Sequence, residues 1–158
     1  MPFVYTTPVR FADVDHAGIV YYPRFFHYFH VAFEELFGQD GAYMKILDQR
    51  KVAFPAVHVE CDFVRPLRYG DDMTVEVSLD RIGAKSVTLA YLVTPVGADA
   101  PCARAKVTCA TIDMTTFRAI PIPDDVVGRT LAVVSGVVRG SVSKGLYGVV
   151  DREMPSPG

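Results

Sequence analysis

The stretch "FADVDHAGIVYYPRFFHYFHVAFEELF", residues 11–37, changes character at Pro23. Ahead of it stand two aspartates, a histidine and a glycine. Behind it Phe25, Phe26, Phe29, Ala32, Phe33, Leu36 and Phe37 recur at spacings of three and four, with Tyr28 and Val31 filling most of the remaining circumference. That periodicity predicts a helix over 23–37 buried on most sides. Proline suits a first turn, where an amide has no helical partner, and Gly38 supplies a stop. At about 1.5 Å per residue the helix spans roughly 22 Å, the width of a small sheet.

Outward from this helix the period changes to two. Phe3, Tyr5, Val9 and Phe11 share one parity and predict a strand over 3–11. Further strands are expected over 57–65, where Val57, Val59, Cys61 and Phe63 share a face, and over 73–81, where Met73, Val75, Val77 and Leu79 alternate with polar residues. Val87, Leu89, Tyr91 and Val93 continue the alternation, and 102–115 reads as one last long strand. Turn residues at 69–72 and 82–86 predict hairpin-length connections, and 40–50 is irregular or helical. One strand, one buried helix and four strands argue for an α+β fold with a five-stranded antiparallel sheet packed on a single long helix. We therefore expect one domain over 1–127 and a glycine-rich C-terminal extension over 128–158, partly irregular and frayed beyond 151.

Composition narrows the classes of function. The chain has 158 residues, half of them hydrophobic and 22% charged, with a formal net charge of −2, so no polyanion partner is indicated. Cys61, Cys102 and Cys109 form no C-x-x-C pair and suggest neither a disulfide framework nor zinc. The N-terminus lacks a signal-peptide pattern, and no apolar run approaches the roughly 20 residues of a membrane span. A cytoplasmic protein without nucleic-acid or membrane partners is expected.

The polar segment before the helix has a physical use. A helix start presents unpaired N–H groups and the positive end of a dipole, which can polarise a carbonyl or hold an oxyanion. Gly18 permits a turn that brings a carboxylate back towards that helix start. A carboxylate and an oxyanion site on either side of a carbonyl are the two halves of an acyl-transfer centre. Spacing alone leaves the alternative open that Asp13 and Asp15 are turn and capping residues.

The pattern "F-x-D-x-D-x-A-G-I-V-Y-Y-P-x-F-F" resembles the signature of the 4-hydroxybenzoyl-CoA thioesterase family of hotdog-fold proteins. The pieces "FP…V…F-V-R-P-L-R-Y-G-D" over 54–71, "KS" at 85–86 and "RAIPIPDDV" at 118–126 follow in that family's order, so the resemblance covers roughly 3–127. It implies a curved antiparallel sheet around a central helix, a homodimer or homotetramer with sheets joined edge to edge, and acyl-CoA sites at the dimer interface. It places the catalytic carboxylate on Asp15, the carbonyl-polarising amide on Tyr22 and a structural acid on Asp13. His16, Gly18, Pro23, His58, Lys85 and Ser86 complete the expected substrate contacts. Of the family's basic cluster for the CoA phosphates only Lys85 remains, with Gly83 and Ala84 in place of arginines, so Arg65, Arg68 and Arg81 are candidate substitutes. His30 replaces an acid sometimes found on the helix.

Asp15 has two available roles, general base or nucleophile through a mixed anhydride. His16 either assists hydrolysis or sits in solvent. His27 and His30 lie three apart, but no third metal ligand accompanies them, and no metal or cofactor is expected. Glu34 and Glu35 lie where another hotdog subgroup carries a catalytic glutamate, without its flanking glycines. His58, Glu60 and Asp62 form either a solvated face or a pocket wall across a dimer seam. The expected activity is hydrolysis of a CoA thioester, including aromatic ones. The competing expectations are a hotdog enoyl-CoA hydratase or dehydratase, whose D-x-N-P-x-H loop is absent, and a non-catalytic acyl-CoA binding protein.

Overall fold

Alternation of buried Phe3, Tyr5 and Thr7 with half-buried neighbours builds strand β1 (Phe3–Pro8) in the computed structural model, which describes residues 2–37, 42–134 and 143–144. The strand stops short of the expected residue 11, because Phe11–Asp13 winds into a single 3-10 turn. Helix α1 (Pro23–Phe37) follows with the predicted bounds, while the expected stop at Gly38 lies outside the described residues. Its buried positions are Phe25, Tyr28, Phe29, Val31, Ala32, Phe33, Leu36 and Phe37, and the exposed stripe is Phe26, His27, His30 and Glu34. Each buried phenylalanine contributes about 1.5–3 kcal/mol relative to an exposed one, so this helix is held by packing rather than by propensity.

The chain then forms α2 (Ala42–Arg50), β2 (Val52–Ala53), β3 (Ala56–Phe63), β4 (Asp72–Ile82), β5 (Ser86–Pro95), β6 (Ala103–Ala110), β7 (Ile112–Asp113), α3 (Asp124–Val134) and β8 (Ser143–Lys144). The main sheet runs β3-β6-β5-β4-β1 with antiparallel neighbours, and the short β8 lies parallel to β1 at the far edge. Met73, Val75 and Val77 of β4, Leu89, Tyr91 and Val93 of β5 and Ala103 and Ala105 of β6 pack in one core with α1, where the rings of Phe29 and Tyr91 lie 5.0 Å apart. No described helix is long and apolar enough to cross a membrane.

Three further expectations change. The 57–65 and 73–81 strands are not a hairpin: β3 pairs with β6, and residues 64–71 carry the chain across the end of the sheet to β4. That crossing is pinned by the Val64 and Arg65 N–H groups, which donate to Cys102 O at 2.7 and 3.1 Å, and by Val20 N–H, which donates to Leu67 O at 2.8 Å. The 102–115 segment is two strands, because Thr111 turns inward, its N–H donating to Lys85 O at 2.8 Å, and Ile112–Asp113 pairs with β2 instead. The helix α1 is joined by α2 and α3, tied to each other by an ion pair between Arg50 and Asp125. Helix α3 continues from Asp124 through residues 127 and 128 to Val134.

Among the described residues strand β3 pairs only with β6, at the edge of the sheet, and nearly every residue on both of its faces is exposed.

Candidate functional site

The polar segment between β1 and α1 is a closed loop with two layers. Asp13, only 7% exposed, forms the inner one. Its Oδ2 accepts the Arg10 N–H at 2.9 Å, its Oδ1 lies 3.9 Å from Arg24 Nε, and its carbonyl accepts the Tyr21 N–H at 2.9 Å. One residue thereby fixes both ends of the loop, from Arg10 to Tyr21. The Tyr28 hydroxyl is buried beside Asp13 without a hydrogen bond of ordinary geometry, and burial first, then the Asp13 carboxylate, pushes its phenol above the usual range.

Asp15 forms the outer layer and is exposed. Its N–H donates to Ile19 O and its carbonyl accepts the Gly18 N–H, both at 2.9 Å. Its Oδ1 accepts the Ala17 N–H at 2.9 Å, closing an Asx-type turn. Gly18 completes the turn at φ +79, a backbone region that strains other residues even though the position a Cβ would take is open. His16 sits exposed at the tip. Among the described residues Asp15 Oδ2 has no hydrogen-bond partner.

The helix start lies directly after this turn. Pro23 is the first residue of α1 and has no N–H, while the Arg24 and Phe25 amides donate to the carbonyls of Tyr21 and Tyr22 at 2.8 and 3.2 Å. The Tyr22 N–H has no partner among the described residues. The Tyr22 ring is exposed and meets Phe63, the last residue of β3, with centroids 6.2 Å apart. The candidate carboxylate, the open amide and the end of β3 thus share one end of the sheet.

One helical turn further along α1 an apolar cavity of about 520 Å³ opens between Phe26, Phe29 and Phe33 on the helix and Val59, Tyr91 and Val107 on the sheet. Its size falls within the roughly 300–1,000 Å³ typical of small-molecule sites. Phe117 lines it from a turn that Asp113 holds, Oδ1 accepting the Thr115 and Thr116 N–H groups at 2.7 and 3.1 Å. His30 also borders the cavity and faces Glu34 Oε1 at 2.8 Å. Cys109 stands in its wall, its thiol pushed up to about 11 by burial. Neither Phe117 nor the cavity is anticipated by the sequence reading; the signal present was an aromatic residue in a turn-forming "DMTTF" context at 113–117.

The remaining expected contacts are elsewhere in this chain. Lys85 lies exposed in the β4–β5 turn, and Ser86 opens β5 opposite Ala110, next to the start of β3. That is the opposite end of the sheet from Asp15. His58 is paired with Thr108 on the outer face, away from α1.

This combination of sheet, helix and loop is matched over most of its length by one family description: residues 9–130 fit the thioesterase-like superfamily. The chain belongs to that superfamily. Within it, a 1,4-dihydroxy-2-naphthoyl-CoA hydrolase of Nostoc punctiforme is 33% identical over 128 residues, which cover 80% of this chain and 85% of that one. The crystal structure of a 1,4-dihydroxy-2-naphthoyl-CoA thioesterase from Synechocystis superposes with a TM-score of 0.75 at 25% identity, covering 82% of this chain and 96% of that one. A gentisyl-coenzyme A thioesterase structure gives a TM-score of 0.69 at 28% identity, covering 78% and 98% of the two chains. The fold is the α+β hotdog fold of these thioesterases, with five antiparallel strands and the additional helices described above.

Proposed function

We propose that this member of the thioesterase-like superfamily hydrolyses aromatic acyl-CoA thioesters to the free acid and CoA. The observation that carries the proposal is the Asp15 turn and the open Tyr22 amide at one end of the sheet, one helical turn from an aromatic-lined cavity. The relatives named for naphthoyl-CoA and gentisyl-CoA hydrolysis support an aromatic acyl group.

In this reading the acyl ring enters the cavity past Phe26 and its thioester carbonyl accepts the Tyr22 N–H. The amide and the N-terminal dipole of α1 stabilise the oxyanion as it forms. Asp15 Oδ2 attacks the carbonyl carbon, the C–S bond breaks, and CoA leaves as thiolate. Water then cleaves the mixed anhydride, giving the acid and restoring the carboxylate. Nucleophilic attack suits a carboxylate better than proton abstraction, because a weak base removes a proton from water inefficiently at neutral pH. Ala17 holds Oδ1, which fixes the orientation of the attacking oxygen.

The active form in this reading is a homodimer. A long edge strand with apolar residues on its surface is a standing template for strand pairing, and β3 presents exposed Val57, Val59 and Phe63. Two-fold antiparallel pairing of β3 with a second copy brings that copy's Lys85 and Ser86 end towards this chain's Asp15 end. Lys85 then contributes to CoA binding from the second subunit.

Thiol release from a panel of aliphatic and aromatic acyl-CoA esters tests the proposal. Turnover with kcat/KM highest for an aromatic ester is the expected result; no thiol release from any ester overturns it.

A further inference from the structure

The sheet end that carries the Asp15 turn holds a feature that thioester cleavage itself does not use. Phe11 and Tyr69 are 79% and 62% exposed, yet their rings pack edge to face with centroids 5.9 Å apart. Two stiff turns keep them there. Phe11 opens the 3-10 turn that Asp13 closes through the Arg10 N–H. Tyr69 sits in the 68–71 turn, where Asp71 Oδ2 accepts the Arg68 N–H at 2.9 Å, the Asp71 N–H returns to Arg68 O at 3.1 Å, and Gly70 adopts φ +87.

Arg68 is bridged to Ile19, and Ile19 O accepts the Asp15 N–H. Two strand spacings, about 10 Å, therefore separate the backbones of Asp15 and Arg68. Arg65 lies exposed on the same crossing, its N–H held by Cys102 O. Among the described residues neither guanidinium is paired with a carboxylate. Asp71, on the same turn as Arg68, is occupied by the turn it closes, while Asp72 stands exposed at the start of β4.

We propose that this rim holds the nucleotide end of CoA, with Arg65 and Arg68 on its phosphates and the Phe11–Tyr69 pair against the adenine. The assignment rests on the acyl-CoA reading of the Asp15 site. The pantetheine arm must carry the phosphates some distance from the thioester, and an adjacent rim reached without crossing the sheet suits that geometry. A protein with net charge −2 needs a local cluster of cations to hold so anionic a ligand. Arginine matches phosphate oxygens in a fork, and a planar base stacks on an aromatic face, so two cations beside two exposed rings fit both halves of the nucleotide.

The test uses the full chain, the Arg65→Ala/Arg68→Ala and Phe11→Ala/Tyr69→Ala double variants, and 3′,5′-ADP as the thiol-free nucleotide fragment of CoA. Calorimetry should show 3′,5′-ADP binding to the wild type and binding weakened about tenfold or more by the arginine pair, the scale of lost charge-assisted contacts. The aromatic pair should weaken it by a smaller factor. In kinetics, KM for an acyl-CoA should rise with little change in kcat, while kcat/KM for the same acyl group on N-acetylcysteamine stays at the wild-type value. Wild type that does not bind 3′,5′-ADP, variants that bind it unchanged, or equal losses with both thioesters overturn the assignment. Absence of thiol release by the wild type overturns the hydrolytic reading instead, and the calorimetric result still decides this one.

Discussion

Asp13 and Asp15 stand two positions apart and face opposite surroundings: the Asp13 carboxylate is buried and takes the Arg10 N–H, whereas that of Asp15 is exposed and takes the Ala17 amide of its own turn. The two acids therefore divide the work of the loop. Asp13 holds its shape, and in our account Asp15 supplies its chemistry.

Asp13→Ala leaves the Arg10 amide without its side-chain acceptor and uncovers the buried Tyr28 hydroxyl. It should cost roughly 1.5–3 kcal/mol, the usual worth of a hydrogen bond to a charged group. Urea unfolding measures this directly. Asp15→Asn keeps an oxygen for the Ala17 N–H and should leave the midpoint almost unchanged. Equal midpoints for Asp13→Ala and wild type would contradict the structural role.

The β3 edge predicts the assembly. Val57→Glu combined with Val59→Glu places charge on both the bulged and the regular part of the strand, and like charges facing one another across a two-fold axis disfavour pairing. Light scattering at micromolar concentration should show a dimer for the wild type and a monomer for the variant, with hydrolysis falling alongside. A wild-type monomer with full activity would contradict a shared site.

The cavity predicts selectivity. Ala56 lines it at the start of β3, and Ala56→Phe fills space without disturbing a buried side chain. Discrimination by an apolar pocket runs at roughly 10–200-fold per methylene gained or lost. The variant should therefore lose at least about tenfold in kcat/KM for a bulky aromatic acyl-CoA and change little for acetyl-CoA. Parallel loss on both substrates would remove the cavity from acyl recognition.

The thiols predict a pH dependence. Burial pushes Cys61, Cys102 and Cys109 up to about 11 from an ordinary 9.0. Between those values the folded chain holds more protons than the unfolded one, so the contribution to stability is complete below 9.0 and is lost as pH rises through about 11. The urea midpoint should be flat with respect to these groups near neutrality and fall in alkali. Iodoacetamide at about pH 8 should label the native chain slowly and leave hydrolysis intact, since thiols rather than thiolates are present. Rapid labelling with loss of activity would point to a thiolate in the chemistry.

Helix α1 was legible in the sequence because its apolar residues repeat at one period over fifteen positions, and a single solution buries them. The Asp15 loop was legible because glycine, proline and paired aspartates each restrict the backbone in a known way. The partner of β3 was not. Alternation in Val57, Val59, Cys61 and Phe63 specifies a face but not a neighbour, and "YGDD" at 69–72 has the composition of a hairpin turn although the chain there ends a crossing. The cavity was illegible for a related reason: Phe117, Tyr43 and Pro55 reach it from short loops and from α2, none of which carries a period. The resemblance makes Lys85 and Ser86 substrate contacts, but the sheet sets them at the end far from Asp15; in our account a second copy returns them.

The central claim is that the Asp15 carboxylate performs the hydrolysis. The direct measurement is kcat for Asp15→Asn on the best acyl-CoA, with CoA binding followed in the same preparation to show that the site is intact. Our account predicts unchanged binding and a kcat lowered by about two to four orders of magnitude, the range for losing a nucleophile or general base. Near-wild-type kcat would contradict it and return Asp15 to the role of a turn residue ahead of a helix.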